Sequence, residues 1–580
     1  MRLKYWHSSL LLSLCVLAVY YPSLHAGYNS VDDLGMINRL INSGPINLHH
    51  HFFPHGGGVY YRPLTTLTYF FDRDVWGTIA SFMHLENILI HLANSFLVLF
   101  LTRRLLALYQ SESENIALLA TLLFALHPLA TESVSWISGR TDLLAGFFLL
   151  SAFLLILMSL QKKQSIAICC SGVLLLTAAL TKEIAVFILP GLLWCIIIYP
   201  QQNLSFLDRL KDRWLHLVVT VAGISGYFVM RSFAMARDSG IKHVVSGLIS
   251  TTTADGFDLL DKVRIFLKVY GFYFKKLFLP WPLNFGIIEI SGWNVLAGVV
   301  LACLLIWFFL RADIFGALGL ISFCVLSPAI LIPFSKMTWT PIAERYLYVS
   351  IAFFVPMVAL FLAGKGKQRS SVFLRRSQYV LMIILVVFFS TTLHRAWIWQ
   401  DNERLYTDTV KKSPDFLPAK SELASALIRK GKTEQAEAIL VAMQSKSSSS
   451  SFLNDDMYLA QSLMVKGELL KARDLLINSL DNPGKKYHEL LQILLKINSK
   501  RLGKINNPDE RMQVQQESLK WLLEQQRVRP NPFTLYRIGK MQLSCGNKDA
   551  ALEYFRRAYS GSPRDSHYRD AAKKFIQQLH

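Results

Sequence analysis

The sequence contains few cysteines and no cysteine pattern. Seven occur in 580 residues; six lie in apolar segments, and Cys545 stands alone in a polar region. Without cysteines at regular spacing the sequence predicts no disulfide framework, and without a CxxC pair it predicts no cysteine-based metal knuckle.

Nucleotide-binding motifs are also missing. The chain has no GxxxxGK[ST] loop, no GxGxxG motif after a strand and no GxSxG elbow. Because such motifs cradle phosphates or expose a nucleophilic serine, neither ATP use nor the nucleotide-sugar chemistry of soluble enzymes is supported. The net charge of +21 does not indicate a nucleic-acid partner, since many of the basic residues lie in short loops that would face anionic lipid.

Charged residues are scarce and long apolar runs are abundant. Charged residues make up 17% of the chain and hydrophobic residues 52%, a balance that excludes one ordinary soluble domain. Apolar runs of about 17 to 25 residues, long enough to cross a bilayer core of about 30 Å, predict about 11 spans. The clear predicted spans are Ile116–Leu126 with its flanks, Leu143–Leu160, Ile184–Tyr199, Trp293–Leu310, Phe315–Pro333, Val349–Ala363 and Tyr379–Leu393; the weaker ones are Ser8–Tyr21, His84–Leu101, Ile166–Leu180 and Leu215–Met230.

Basic residues cluster in every second loop, which predicts the orientation. The clusters are Arg2 with Lys4, Arg103–Arg104, Lys162–Lys163, Arg209–Arg213 and Lys365–Arg376. The excess of Lys and Arg in cytoplasmic loops places these inside. An odd number of spans then puts the C-terminal region outside, together with the loop after the first span. The first apolar segment is also compatible with a cleaved signal peptide.

One apolar segment, residues 262–280, is not predicted to cross. It carries Lys262, Arg264, Lys268, Lys275 and Lys276, and a span there would place the basic 365–376 loop outside. We expect an amphipathic helix lying in the outer interface, anchored by Trp281.

From about Arg395 the sequence becomes polar and helical, and a repeat appears. Its first and second copies share one internal spacing, and a third follows near the C-terminus. The copies are Leu423-Ala424, Leu427, Gly431, Ala436 and Leu440; Leu459-Ala460, Leu463, Gly467, Ala472 and Leu476; and Ile538-Gly539, Gln542, Gly546, Ala551, Phe555, Ala558 and Pro563. This is the tetratricopeptide pattern of stacked helix hairpins. The sequence therefore predicts a transmembrane domain over residues 1–394 and a repeat domain over residues 395–580, with degenerate hairpins between about 487 and 530 and a flexible insertion at Ser445–Ser451.

Polar residues gather in the loops predicted to face outward. Asp32-Asp33 follows the first span, where a general base would meet a lipid-linked donor, or where a turn would simply be solvated. Arg62, before Pro63, is suited to phosphate contact or to bracing its loop. Arg140 and Asp142 lie in the stretch His127–Asp142 together with Glu132, and a plain interfacial ion pair between them is the alternative.

Further polar residues lie at helix junctions or inside spans. His84, Asn87 and His91 share one face of the second span, where packing by interhelical hydrogen bonds is favoured over substrate contact. Lys182-Glu183 and Glu344-Arg345 stand at outward junctions. Arg345 lies at headgroup depth, suited to bidentate phosphate capture or to snorkelling.

In this order, the motifs resemble those of the transmembrane and tetratricopeptide repeat (TMTC) O-mannosyltransferases and their bacterial relatives, multi-span glycosyltransferases of the GT-C fold. The matching stretches are Asp32-Asp33, Tyr61-Arg62-Pro63-Leu64, His84-x-x-Asn87-x-x-x-His91, His127-Pro128-x-x-Thr131-Glu132-x-Val134 with Gly139-Arg140-x-Asp142, Lys182-Glu183, Glu344-Arg345-x-Leu347-Tyr348 and the C-terminal repeats. One departure is clear. The family's stretch between the acid pair and the Arg-Pro motif is replaced by a His- and Gly-rich loop, and Asp74-Val-Trp-Gly77 follows later.

The resemblance implies an all-α fold, a polytopic GT-C bundle followed by an α-solenoid, and a polyprenyl-phosphate sugar donor used with inversion. In that mechanism Asp33 or Asp32 is the base, with Asp33 preferred, and Arg345, Arg140 and Lys182 bind the donor phosphate. Glu132 orients Arg140 or the acceptor, while Arg62, His84, His91, Asp142, Glu183 and Glu344 shape the site. The acceptor would be a protein, which the repeats recruit or present.

Several alternatives stay open at this point. The sequence assigns no cofactor, and Asp32, Asp33 and Glu132 could hold a divalent cation such as Mg²⁺ or Mn²⁺. The acceptor could be a glycolipid or polysaccharide instead of a protein, and the chain could be a non-enzymatic membrane-anchored scaffold. Short loops favour a bacterial inner membrane, with the repeat domain in the periplasm.

Overall fold

The computed structural model describes residues 5–41, 46–53, 60–109, 114–162, 164–199, 205–234, 259–331, 340, 342–364, 370–444, 453–480, 487–528, 530–562 and 568–579. Over these residues the chain is all-helical, with a single antiparallel bridge between Ile287 and Ile342 as the one extended pairing described. The predicted all-α class is confirmed. The chain divides into two compact units between Pro414 and Asp415. The boundary predicted at residue 395 falls inside a long helix that belongs to the first unit.

Helices of the first unit are numbered in chain order. They are α1 (Tyr5–Tyr20), α2 (Asp33–Ile41), α3 (Leu48–Phe52), α4 (Pro63–Trp76), α5 (Ala80–Leu108), α6 (Glu114–Ala125), α7 (Thr131–Ser135), α8 (Arg140–Lys162), α9 (Ser165–Thr181), α10 (Leu189–Ile198), α11 (Phe206–Ala234), α12 (Leu259–Phe278), α13 (Asn294–Arg311), α14 (Ile314–Cys324), α15 (Ser327–Leu331), α16 (Leu347–Ala363), α17 (Ser371–Trp399) and α18 (Asn402–Lys412). Short 3₁₀ turns at Tyr21–His25, Pro128–Ala130, Ile137–Gly139, Glu183–Ile188 and Glu344–Tyr346 connect several of them.

The described residues of all eleven predicted spans lie mostly in helices, and these helices differ in length. In the described part of the chain, seven helices are long and apolar enough to cross a membrane, and the pair Glu114–Ala125 and Pro128–Ser135, bent by 44°, makes an eighth candidate. The other three predicted spans correspond to shorter apolar helices, Ser165–Thr181, Glu183–Ile198 and Ile314–Ala329.

The segment predicted to be an amphipathic helix in the outer interface is helical, and among the described helices it is not one of those long and apolar enough to cross a membrane. It forms α12, which packs lengthwise on the candidate span α13. A Cβ atom on Gly271 would overlap the backbone of Asn294 and Gly298, and one on Gly298 would overlap Leu267. The contacts advance along α13 as they retreat along α12, so the two helices are antiparallel. Glycines allow this close backbone approach, and α12 therefore runs beside a candidate span.

One continuous apolar core holds the first unit together. Fully buried side chains from α1, α5, α6, α8, α9, α14 and α16 belong to it. A hydrogen bond joins the two ends of the membrane domain. Gln400, just after α17, donates to the Pro22 carbonyl at 2.7 Å. The C-terminal end of the last span therefore lies beside the loop that follows the first.

The second unit is a succession of helix pairs. Its helices are α19 (Leu417–Arg429), α20 (Thr433–Gln444), α21 (Leu453–Lys466), α22 (Leu469–Ser479), α23 (Tyr487–Leu502), α24 (Pro508–Val528), α25 (Pro532–Ser544), α26 (Lys548–Gly561) and α27 (Arg569–Leu579). The predicted turn glycines Gly431, Gly467 and Gly546 have φ angles of 77°, 86° and 85°. The helix pair at 487–528 lies where degenerate hairpins were expected. The predicted insertion at residues 445–451 lies outside the described residues.

Candidate active site

The acid pair divides into a buried and an open carboxylate. Asp33, the first residue of α2, is 1% exposed. Its Oδ2 accepts from the Asn29 amide at 2.9 Å, and its Oδ1 accepts from the Ser138 amide at 3.1 Å and the Ser138 hydroxyl at 2.5 Å. Burial raises the pKa of Asp33 to about 6, and the hydrogen bonds from Ser138 and Asn29 oppose the rise. Asp33 therefore joins the acid loop, which we define as residues 26–32, to the loop before α8.

Asp32 is the open carboxylate of the pair. Its side chain is exposed, yet protein atoms on several sides raise its pKa, against the opposing charges of Arg345, Arg62 and Arg39. Among the described residues, none forms a direct ion pair with it. A carboxylate that solvent can reach and that no cation holds is free to accept a proton. The geometry therefore favours Asp32 over Asp33, which the sequence analysis preferred, as the base.

Arg345 is the best-positioned cation for a phosphate. It lies in the 3₁₀ turn that begins the span containing α16, and its guanidinium carbon is 5.1 Å from the Trp136 ring centroid and 5.0 Å from that of Tyr346. Glu132 accepts from the Arg345 side chain and from its backbone amide. The side chain is 16% exposed. Glu132 and the two rings therefore fix the Arg345 side chain, part of which stays exposed to a ligand.

Two further cations, Lys182 and Arg62, are paired with carboxylates. Lys182 Nζ lies 2.5 Å from Asp142 Oδ1, and both side chains are buried. Burial is the main cause that lowers the pKa of Lys182, and Asp142 opposes it. Arg62 binds Glu183 through two contacts, of 2.8 and 2.6 Å, with its guanidinium 4.3 Å from the Tyr60 ring. The predicted Arg140–Asp142 pair is replaced by Lys182–Asp142.

These groups form one cluster. Arg345 and Arg62 both act electrostatically on Asp32 and on Asp142. The predicted site residues that come together are Asp32, Arg62, Glu132, Asp142, Lys182, Glu183 and Arg345. Ion pairs fix the cations before any ligand arrives, which is the arrangement that stabilises developing charge without reorganisation.

Arg140 does not belong to this cluster. It is fully buried; its Nη1 lies 2.7 Å from Asp72 and 3.0 Å from Glu86, its Nε donates to Asn87 at 3.0 Å and its Nη2 to the Met83 carbonyl at 3.1 Å. With its N–H groups directed into the protein, Arg140 has no exposed face for a phosphate. The phosphate-binding role predicted for it is therefore wrong, and it anchors the start of α8 to α4 and α5.

The two histidines of α5 also serve packing. His91 contacts the Tyr348 hydroxyl at 2.8 Å and the Ala125 carbonyl at 3.1 Å, and His84 lies 3.3 Å from the Gly27 carbonyl. Both are buried. They connect α5 with α6, α16 and the acid loop, as the interhelical alternative predicted, and they have no open face toward the cluster.

Glu344 forms a buried pair that sequence reasoning missed. Its Oε1 accepts from Lys276 Nζ at 2.7 Å and from the Asn284 amide at 3.0 Å. Lys276 was predicted to lie on an amphipathic helix in the outer interface, and the structure buries it to 3% exposure. The other overlooked contributors, Trp136 and Ser138, lie inside the His127–Asp142 stretch, where a Cβ on Gly139 would overlap the Ser133 backbone. Gly139, which predicts a tight turn in this stretch, was the sequence signal that could have pointed to Trp136 and Ser138.

The proposed metal trio does not assemble. Across the ranges that the structure covers, no group of three His, Cys, Asp or Glu side chains is placed to hold a metal ion. Glu132 is committed to Arg345 and Asp33 to Ser138 and Asn29. The hypothesis that Asp32, Asp33 and Glu132 together bind a divalent cation therefore fails on geometry.

Comparison with known proteins gives partial matches. No protein-family profile matches the chain. The chain is 25% identical over 394 residues to Protein O-mannosyl-transferase F38B6.6 of Caenorhabditis elegans, covering 65% of this chain and 52% of that protein. It is 39% identical over 103 residues to Protein O-mannosyl-transferase TMTC4 of Mus musculus, covering 16% and 14%. It is 37% identical over 94 residues to Protein O-mannosyl-transferase TMTC3 of Homo sapiens, covering 16% and 10%.

The match spans about half the length of the nematode protein and a smaller share of the other two. Within those limits, the chain is similar to proteins named protein O-mannosyl-transferases, the group that its sequence motifs resemble.

Proposed function

We propose that the chain is an integral-membrane glycosyltransferase that moves a sugar from a polyprenyl-phosphate donor to a hydroxyl group of a protein acceptor. The observation that carries the proposal is the pairing of one open carboxylate, Asp32, with fixed cations that act on it. The names of the relatives favour mannose as the sugar and a protein as the acceptor.

The chemistry is a single displacement with inversion. Asp32 accepts the proton of the acceptor hydroxyl as its oxygen attacks the anomeric carbon, a step to which a general base contributes roughly 10²- to 10⁴-fold. The bond from the anomeric carbon to the phosphate oxygen breaks, and its electrons leave with the lipid phosphate. Arg345 stabilises that charge directly, and Arg62 and Lys182 add fixed positive potential.

The other carboxylates of the site position the groups that react. Glu132 holds Arg345 in place, Glu183 holds Arg62, and Asp142 holds Lys182. Asp33 fixes the loop that presents Asp32. Such positioning matters because a small displacement of reacting groups costs a large part of the rate.

The location and the second unit complete the proposal. The site would open on the non-cytoplasmic face, where donor head groups meet acceptors, in a bacterial inner membrane with the second unit in the periplasm. We assign the second unit to the tetratricopeptide class, on its helix pairs and glycine turns, and give it the task of presenting the acceptor.

The test compares Asp32→Asn with Asp74→Asn, an exposed acid of the first unit. Full-length protein in nanodiscs receives polyprenyl-phosphate mannose and a pool of serine- and threonine-containing peptides. We expect Asp32→Asn to lose roughly 10²- to 10⁴-fold in transfer rate with donor binding retained, and Asp74→Asn to match the wild type. Near-normal transfer by Asp32→Asn overturns the assignment. Sugar found on lipid but on no peptide makes the acceptor a glycolipid, and a wild type without any transfer favours the scaffold alternative.

A further inference from the structure

Helix α18, the last helix of the first unit, contacts the acid loop. Asn402 Nδ2 donates to the Tyr28 carbonyl at 2.8 Å, and its Oδ1 lies 3.4 Å from the Ser30 amide. One turn later, the Tyr406 hydroxyl lies 2.8 Å from Ser30 Oγ and 3.1 Å from Asn29 Oδ1. Residues at i and i+4 share a helix face. One face of α18 therefore covers the loop that carries Asp32.

These contacts continue to Val31 and Asp33, the two neighbours of Asp32 in the chain. Asn29 Oδ1 also accepts from the Val31 amide at 2.9 Å, and the Asn29 amide donates to Asp33 at 2.9 Å. Tyr406 is fully buried, with its ring 6.3 Å from that of Phe285. A buried hydroxyl that donates and accepts at fixed positions defines a loop conformation, because leaving either group unpaired carries a desolvation penalty.

The C-terminal end of α18 contacts the other half of the site. Lys412 Nζ donates to the Leu283 carbonyl at 2.7 Å. Ser413 Oγ donates to the Gly286 carbonyl at 2.7 Å and accepts from Asn284 Nδ2 at 2.8 Å. The Asn284 amide binds Glu344, the residue directly before Arg345. The path from Ser413 to Arg345 therefore passes through two hydrogen bonds and one peptide bond.

Ion pairs hold α18 between these two contacts. Asp408 binds Arg395 of α17 at 2.6 Å and Lys412 at 2.7 Å. Arg395 is 3% exposed, so its guanidinium needs this partner. The helix is thus fixed to the last span at its centre, to the acid loop near its beginning and to the Glu344 segment at its end.

We propose that α18 sets the distance between the base and the phosphate-binding arginine, with Asn402 and Tyr406 as positioning residues for Asp32, and Ser413 as a positioning residue for Arg345. This inference rests on the proposed function for its consequence for rate, but the contacts themselves are independent of it. The two ends of the helix act on different steps. The Tyr406 end affects proton removal, and the Ser413 end affects the donor phosphate.

The difference between the two ends gives the test. Tyr406→Phe removes one hydroxyl and keeps the ring. We expect kcat for sugar transfer from polyprenyl-phosphate mannose to fall roughly three- to tenfold, the effect of one hydrogen bond, with the donor KM within about twofold of the wild type. Ser413→Ala should do the reverse, raising the donor KM roughly threefold or more with a smaller change in kcat. Tyr379→Phe, at an exposed tyrosine of α17, is the matched control.

A second measurement does not need activity. Amide hydrogen exchange at Asn29, Ser30 and Val31 should quicken in Tyr406→Phe and stay unchanged in Ser413→Ala and Tyr379→Phe. If exchange does not change in Tyr406→Phe, the contact does not hold the loop and the inference is overturned. If exchange quickens but kcat stays at the wild-type value, or kcat and KM change equally in both variants, the positioning role is overturned. If the wild type transfers no sugar at all, the proposed function fails while the exchange result still decides whether α18 holds the acid loop.

Discussion

The two units pair their charges in different ways. In the first unit, buried pairs join residues far apart in the sequence: Arg140 with Asp72, Lys276 with Glu344 and Lys182 with Asp142, all with side chains at most 7% exposed. In the second unit the described pairs are more exposed to solvent, and three of them, Arg527–Glu524, Lys471–Glu468 and Arg557–Glu553, lie one helical turn apart. Arg473–Glu517 is intermediate, distant in sequence but about one quarter exposed.

The difference shows what each set of charges does. A solvated pair one turn apart is worth at most about 1 kcal/mol. A buried pair must overcome the desolvation of both ions, and it persists only where the surrounding fold supplies further hydrogen bonds. Buried pairs therefore mark places where the fold sets the position of a group. In the first unit, Lys182–Asp142 belongs to the cluster of Asp32 and Arg345, and Glu344 of the Lys276–Glu344 pair directly precedes Arg345.

The largest expected effect removes the deepest pair. Arg140→Met leaves Asp72 and Glu86 facing each other without a cation, and breaking a buried pair from one side costs about 3–5 kcal/mol. Unfolding titration in mixed micelles should show that loss, while Arg311→Met, at a partly exposed pair with Asp313, should cost less than about 1 kcal/mol. Adding Asp72→Asn should restore part of the stability. Equal effects of Arg140→Met and Arg311→Met would contradict the comparison.

The next effect separates a cation used for positioning from one used for binding. Arg345→Gln keeps a polar but shorter side chain and removes its charge, so a charge-assisted hydrogen bond to the donor worth about 1.5–3 kcal/mol is lost. Polyprenyl-phosphate binding should weaken roughly 10- to 100-fold, measured by displacement of a labelled lipid. Arg140→Lys, which keeps the buried charge, is the comparison. A larger loss of lipid binding in Arg140→Lys than in Arg345→Gln would reverse the assignment.

A backbone substitution probes the second unit without touching a charge. Gly431 has φ of 77°, and the space around its missing Cβ is open, so Gly431→Ala adds conformational strain and no clash. The left-handed conformation costs a residue with a Cβ about 1–2 kcal/mol. The unfolding midpoint should fall accordingly in the purified full-length protein, with transfer unchanged. Gly503→Ala, where no positive φ is required, is the matched control, and an equal drop there would exclude the strain argument.

The pH dependence tests the environment of Asp32. The protein atoms around this solvent-exposed carboxylate partly desolvate it and raise its pKa, and Arg39 is one of the cations that oppose the rise. A base must be deprotonated, so transfer falls as pH drops through that raised pKa, and the acid limb of kcat/KM should lie above the ordinary aspartate range. Arg39→Gln removes an opposing charge, which raises the pKa further and moves the acid limb to higher pH. A limb that moves to lower pH would place the titrating group elsewhere.

The smallest effect belongs to the solvated pairs. Arg527→Ala removes the exposed partner of Glu524, and the free energy of unfolding should change by no more than about 0.5 kcal/mol. Raising the salt concentration should reduce even that difference. A loss of several kcal/mol would mean that the second unit uses its charges as the first unit does.

Sequence reasoning succeeded where one local signal determines the outcome. Apolar runs predicted every apolar helix of the first unit, and the repeated Gly positions predicted the turns at Gly431, Gly467 and Gly546. It failed where a side chain has several available partners. Arg140 was assigned to a phosphate on the family resemblance, but its partners Asp72 and Glu86 lie on α4 and α5, and nothing in the sequence ranks them as its partners.

The chain's composition and periodicity by themselves determine that it is helical, and that an apolar region is followed by a polar one. Both properties depend on the residues of each short segment and not on contacts between distant segments. The tertiary structure alone decides which of two adjacent aspartates stays open, which arginine is available, and that α18 joins the acid loop to the Glu344 segment. Those outcomes depend on which charged groups are desolvated on folding, and desolvation is determined by residues that come together from distant parts of the chain.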